Sequence, residues 1–189
     1  MIPGTPPTKG RLLVATPPLE DENFDRTVVF MLEHQDDGAI GVVINRPSVE
    51  SLDEPLDRWI DLQSVPSSVF LGGPVEEDAL IALAETKALL NDPGEYLSPI
   101  SGKIASADLT ADPALVAGEV RGVRVFRGYA GWGPGQLEGE ISSGAWLVLD
   151  SETGDLFSNE PDELWRTVIR RQPGRLAWLA DAPDDLSSN

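Results

Sequence analysis

The chain has 189 residues, 41% hydrophobic and 24% charged, a balance typical of folded globular proteins, and its length suits one hydrophobic core. A formal net charge of −18 opposes contact with nucleic acid, and the arginine groups at Arg121, Arg124, Arg127 and at Arg170, Arg171, Arg175 are interleaved with apolar residues instead of forming a basic stripe. The absence of cysteine excludes disulfides, thiolate metal sites and cysteine nucleophiles, while no apolar run nears the roughly 20 residues that span a bilayer and MIPGTPPTKGR has no signal-peptide core, so a cytoplasmic chain without membrane contact is expected.

Residues 1–10, rich in Pro and Gly, are expected to be a loose arm, residues 11–180 a single domain, and residues 181–189 a disordered acidic tail. LLVA at 12–15 predicts a short strand ended by Pro17 and Pro18. TVVFMLEH at 27–34 predicts a second, stopped by the turn residues QDDG, and AIGVVIN predicts a third. The tight connection makes these two a hairpin, and their nearly continuous apolar character predicts burial on both faces.

Leu52, Leu56, Trp59 and Ile60 recur at helical spacing, which predicts a short helix within 49–62. VFLGGP at 69–74 predicts a strand running into a Gly-Gly-Pro bend. EEDALIALAETKALL at 76–90 predicts a helix with Glu76, Glu77 and Asp78 at its positive end. Residues 91–119 are broken by Pro and Gly and indicate edge strands and a helical turn near Ala114. GVRVFRGYAG predicts a strand, QLEGEI a short helix, AWLVLD a strand and SETGD a turn. PDELWRTVIRRQ predicts a helix capped by Asn159, with Pro161 in its first turn and an apolar stripe of Leu164, Trp165, Val168 and Ile169. Strands in hairpins as well as beside helices predict a mixed α/β fold rather than an alternating parallel one.

His34 is the only histidine, so multi-histidine zinc sites are excluded, and a serine triad lacks its Gly-x-Ser-x-Gly elbow. Glu33 and His34, ending a strand beside a turn, read either as an acid/base pair facing a cleft or as a hydrogen-bonded strand end. DSETGDLFSNE fails calcium-loop spacing because Gly154 stands where an acidic ligand is required, and it reads as a turn; no metal or cofactor is expected. GYAGWGPGQLEGEIS, from 128 to 142, combines five glycines with polar groups. Its backbone amides could approach an anion, or its glycines could simply turn the chain while Trp132 fills the core. On the following helix Leu137 and Ile141 face the core, Gln136 and Glu140 share another face, and Glu138 lies on a third.

GRLLVATPPLEDENFDRTVVF, EHQDDGAIGVVINRP, FLGGPV and GYAGWGPGQLEGEISSGAW, in this order, resemble the YqgE/AlgH family of bacterial proteins over nearly the whole chain. The resemblance implies a bifurcated mixed β-sheet folded into a pseudo-barrel with flanking helices. It implies no established reaction; the family often carries the label of transcriptional regulator, which with this charge points to action through a protein partner. The motif residues carried over are Arg26, Glu33, His34, Gly38, Gly41, Asn45, Arg46, Pro47, Gly72, Gly73, Pro74, Trp132, Gly135, Gln136, Leu137, Glu138 and Glu140. Many members have a Leu-His pair after the Gly-Gly-Pro bend, but this chain has no histidine there. The expected site gathers Glu33, His34, Asn45, the Gly72-Gly73-Pro74 bend and the turn of Trp132, Gly135, Gln136, Glu138 and Glu140 around one pocket, with Arg46 supplying positive charge. The leading expectation is a module binding a small polar or anionic ligand or a protein segment, with a regulatory role. The alternative is an enzyme using Glu33, His34 and Glu138 as acid/base groups. Direct DNA binding ranks last.

Overall fold

A computed structural model describes residues 7–17 and 24–181. Its strands are β1 (Leu12–Ala15), β2 (Val28–Gln35), β3 (Gly38–Val43), β4 (Phe70–Leu71), β5 (Val75–Thr86), β6 (Leu97–Ser101), β7 (Ile104–Ala107), β8 (Val120–Trp132) and β9 (Trp146–Leu149). Its α-helices are α1 (Gln136–Ser142), α2 (Thr153–Leu156) and α3 (Leu164–Arg170). The strand order is β6-β7-β5-β8-β3-β2-β1-β9, with β4 added beside β8. All pairings are antiparallel except β4 with β8. The sheet curls into a half-barrel flanked by short helices, which fits the expected bifurcated pseudo-barrel. Among the described residues no helix is long and apolar enough to cross a membrane.

The fork is at β8. Its residues from Val120 to Tyr129 pair with β5, while Ala130 to Trp132 pair with Gly41, Ile40 and Ala39 of β3. β4 lies parallel to it at Phe126 and Arg127. The hairpin of β2 and β3 forms as its pattern predicts, and alternation divides the side chains between two cores. Val28 and Phe30 join Leu12, Val14, Val42 and Ile44 on one side, whereas Val29 and Met31 join Leu13, Ala15, Trp132 and Trp146 on the other.

The helix expected over 76–90 is instead the long strand β5. Ala, Leu and Glu favour a helix by only tenths of a kcal/mol per residue, and tertiary pairing overrides such preferences. Here β5 is hydrogen-bonded between β7 and β8, and its alternation sends Leu83 to one core and Ala82 and Ala84 to another. The helix expected over 49–62 shrinks to a 3-10 helix, Leu56–Leu62, because the residue before Pro55 disfavours helical backbone. Trp59 anchors that segment, buried and donating its indole N–H to the Leu109 carbonyl at 3.2 Å.

At 151–155 the expected turn is the short helix α2, closed by a capping box between Glu152 and Asp155. The helix expected from 161 divides into a 3-10 turn, Pro161–Glu163, and α3; Glu160, not Asn159, stands at the start of that turn, and it makes no capping bond. The apolar stripe of α3 is buried as expected, and Trp165 donates to the Ala15 carbonyl at 2.8 Å, fastening the helix to β1. Of the expected loose arm, residues 1–6 lie outside the described ones, but Thr8 and Gly10 are buried, and Gly10 N–H bonds to the Met31 carbonyl at 2.8 Å. Of the acidic tail, residues 182–189 lie outside the described ones.

Arg124 is a charge inside the fold. Its Nη1 donates to the carbonyls of Leu156 (3.3 Å) and Ser158 (2.8 Å), and its Nη2 to those of Ser64 (3.3 Å) and Val65 (2.7 Å). The guanidinium lies over the Phe70 ring, 4.2 Å from its centre, and burial lowers its pKa to about 10. It ties two loops to β8. Arg124→Met is expected to lower unfolding stability by about 2 kcal/mol, since the released carbonyls lose their donors while the desolvated charge is also removed. Urea denaturation measures this, and an unchanged midpoint would show that the loops hold without it.

Candidate functional site

The structure distributes the expected site residues over several places. His34, at the end of β2, and Glu138, on the inner face of α1, are both buried. His34 Nε2 is 3.2 Å from Glu138 Oε1, and its Nδ1 is 2.8 Å from the Thr8 hydroxyl. The Glu138 carboxyl titrates below the ordinary glutamate range, chiefly because its own backbone amide bonds to it and further because His34 does, against burial, which raises it. An ionised carboxylate only accepts, so Nε2 carries a proton and donates to it, leaving Nδ1 of the neutral ring to accept from Thr8. In the protonated ring both nitrogens donate, and the Thr8 oxygen accepts.

Hydroxyl, imidazole and carboxylate stand in the order of a nucleophile, base and orienting acid. The Thr8 hydroxyl is nevertheless in a fully buried residue. Reaction with a substrate requires approach to the nucleophile, whereas here the chain of bonds pins residues 8–10 and α1 to β2. His34 is thus hydrogen-bonded on both ring nitrogens at the end of β2. Glu33, one residue earlier, points the other way: it pairs with Lys9 at 2.5 Å, which lowers its pKa, and with Trp132 it lines a hollow of about 550 Å3 that includes Asp37 and Tyr129.

The polar groups of the GWGPGQLEGE turn serve each other. Glu140 Oε2 accepts the indole N–H of both Trp132 and Trp146 at 2.8 Å, and its Oε1 accepts from Gln136 at 3.1 Å. Gln136 in turn accepts the Gly133 amide at 3.1 Å. Gly135 adopts a left-handed backbone (φ 75°) immediately before α1. The turn is therefore a clamp on two tryptophans, and its Gly133 amide is already engaged. Asn45 is also a brace: its amide oxygen accepts the Val28 N–H at 2.9 Å, and its nitrogen donates to the Arg26 carbonyl at 3.0 Å.

Arg46, Gly73 and Pro74 come together in a cleft of about 380 Å3, shared with Val43, Glu50, Leu71, Glu77 and Arg127. The segment after β3 brings Arg46 and Glu50, the Gly-Gly-Pro bend forms one wall, and β8 contributes Arg127. Arg127 Nη2 pairs with Glu50 Oε2 at 2.9 Å, and its Nε is buried with no hydrogen-bond acceptor among the described residues. Arg46 Nη2 donates to the Asp25 carbonyl at 3.2 Å. Two guanidinium groups, apolar walls and a close backbone can take an oxyanion attached to a small apolar body. Sequence reasoning missed Arg127, Glu50 and Glu77. The available signal was a charged residue directly before Gly128 in a run of otherwise buried strand residues.

A family model described as AlgH-like matches residues 12–177. A UPF0301 protein of Streptomyces avermitilis is 48% identical over 182 residues, covering 95% of this chain and 94% of that protein. Among solved structures, the crystal structure of protein DIP2367 from Corynebacterium diphtheriae superposes with a TM-score of 0.88 at 29% identity, covering 93% of each chain. The solution structure of the AlgH protein from Pseudomonas aeruginosa superposes with a TM-score of 0.67 at 30% identity, over 98% of this chain and all of that one (100%). These matches run almost end to end, so they concern the whole architecture and not one motif.

Proposed function

The chain belongs to the AlgH-like family, and from that premise and the cleft geometry we propose that it is a binding module whose ligand is a small anion held by Arg46 and Arg127. The observation that carries this reading is the convergence of two arginines from distant segments on one concave site, in a chain whose net charge is −18. Repulsion from the rest of the surface disfavours polyanions, whereas a small anion can reach the two guanidinium groups directly, in competition with Glu50 and Glu77 of the same cleft. A regulatory role would run through a protein partner that distinguishes the ligand-bound form, not through direct contact with DNA.

The acid/base alternative has less support. His34 and Glu138 are withdrawn from solvent and bonded to each other, and Glu33 is paired with Lys9. The test is thermal melting with a library of small carboxylates and phosphates, followed by calorimetric titration of any that stabilise. A ligand at a hundred times its Kd raises stability by about 2.7 kcal/mol. Arg127→Met is expected to weaken binding about tenfold or more, as the loss of a charge-assisted hydrogen bond implies. A stabilising anion whose affinity survives both Arg46→Met and Arg127→Met would place the site elsewhere.

A further inference from the structure

We propose that Glu50 is a tethered stand-in for the ligand's oxyanion, and that binding exchanges its carboxylate for that of the ligand on Arg127; this rests on the anion-binding reading above. Nε and Nη2 are the two parallel donors on one edge of a guanidinium, the edge that a carboxylate or phosphate engages with two oxygens. Glu50 uses that edge incompletely. Its Oε2 is 2.9 Å from Nη2, while the adjoining Nε is shut away from water without an acceptor among the described residues. An oxyanion seated squarely on the edge satisfies both.

The balance of the exchange follows from exposure. The Arg127 and Glu50 side chains are 36% and 49% exposed, and ion pairs so open to solvent contribute no more than about a fivefold factor to an equilibrium. A charge-assisted bond to a donor that otherwise stays buried and unpaired is worth about tenfold or more. The ligand therefore wins the edge, and Glu50 sets how much of its affinity is spent in doing so.

The backbone can stay in place during the exchange. The Glu50 carbonyl accepts the Val69 N–H at 2.9 Å, Ser48 N–H bonds to the Val69 carbonyl at 3.0 Å, and the Glu50 N–H bonds to the Ser48 hydroxyl at 3.0 Å. These bonds anchor the main chain beside the residues leading into β4, so a rotation of the Glu50 side chain into solvent suffices. The partner chemistry is a planar or tetrahedral oxyanion on a small molecule, from either a carboxylate or a phosphoryl group.

Calorimetric titration of the full chain with succinate and, separately, with inorganic phosphate at constant ionic strength tests the exchange. Glu50→Gln is expected to bind the preferred probe about two- to fivefold more tightly than the unaltered chain. Arg127→Lys should lose about tenfold, because an ammonium cannot present two parallel donors. Glu119→Gln removes the same charge roughly 25 Å away along β8 and should leave the affinity unchanged. The stronger of the two probes assigns the ligand to carboxylates or to phosphoryl compounds. If the unaltered chain binds and Glu50→Gln binds equally or more weakly, the exchange is overturned while the anion-binding reading stands. Absence of saturable binding of either probe to either protein overturns both.

Discussion

Gly72→Ala is expected to destabilise the fold by about 3 kcal/mol or more, and Gly128→Ala by a similar amount, through a clash between backbones rather than a loss of contact. A Cβ on Gly72 would stand 2.3 Å from the Gly128 carbonyl oxygen, and one on Gly128 would stand 2.4 Å from the Gly73 carbonyl oxygen. Neither segment can step aside. The Gly72 N–H bonds to the Arg127 carbonyl and its own carbonyl accepts the Val43 N–H, both at 2.8 Å, so it is held between β8 and β3. Gly128 has in addition φ of 68°, a conformation that side chains disfavour. The two motifs FLGGP and RGYAG thus mark the fork of the sheet, and the close approach of their main chains is what requires glycine. Gly133→Ala, where a Cβ meets nothing within 4 Å, is the control and should change stability by no more than about 0.5 kcal/mol. Urea unfolding of the three variants decides the matter: equal, small losses in all three would remove the fork from its structural role.

Glu138→Ala is expected to cost about 3 kcal/mol at neutral pH, because it leaves the buried His34 Nε2 without its acceptor and opens a gap beneath α1. Glu138→Gln keeps the shape and should cost less. The pH dependence separates charge from shape. The folded-state carboxyl titrates below the ordinary value of 4.5, so on acidification the unfolded chain takes up this proton first. The stability that the carboxylate supplies is therefore complete above about pH 4.5 and is lost as pH falls through the lower folded-state value. The stability difference between the unaltered chain and Glu138→Gln should accordingly shrink in that acid range. A difference that stays constant down to the acid limit of folding would mean that shape alone accounts for the effect.

The same residues mark how far sequence reasoning reached toward the site. His34, Glu138, Gln136 and Glu140 stood out because polar groups in a glycine-rich motif ask for a reason beyond solubility. Their partners did not stand out. Thr8 reads as part of a loose arm, and Trp146 as one apolar residue among several, until β1 and β2 bring the arm against His34 and β9 brings the second indole to Glu140. Asn45 and Gly72 read as ligand groups, yet Asn45 bonds to Val28 at the start of β2 and to the Arg26 carbonyl just before it, and Gly72 bonds to β8 and β3. The cleft itself joins Glu50, Glu77 and Arg127, which are far apart along the chain and carry no shared periodicity.

By itself the sequence determined the acidic charge, the absence of thiol chemistry, strands read at 12–15, 27–34, 39–45 and 122–131 that the structure places within a few residues of those bounds, the apolar stripe of α3 and the family resemblance. Each of these depends on composition, on ordered motifs or on the alternation of side chains over a few residues, where the period of the backbone is visible directly. The tertiary structure alone decided that 75–86 is a strand, that the glycine motifs form a fork, and that Arg46 meets Arg127 while His34 withdraws to Thr8 and Glu138. Those outcomes depend on hydrogen bonds and packing between segments distant in the chain, which can outweigh local preferences of tenths of a kcal/mol per residue and leave no mark within any one segment.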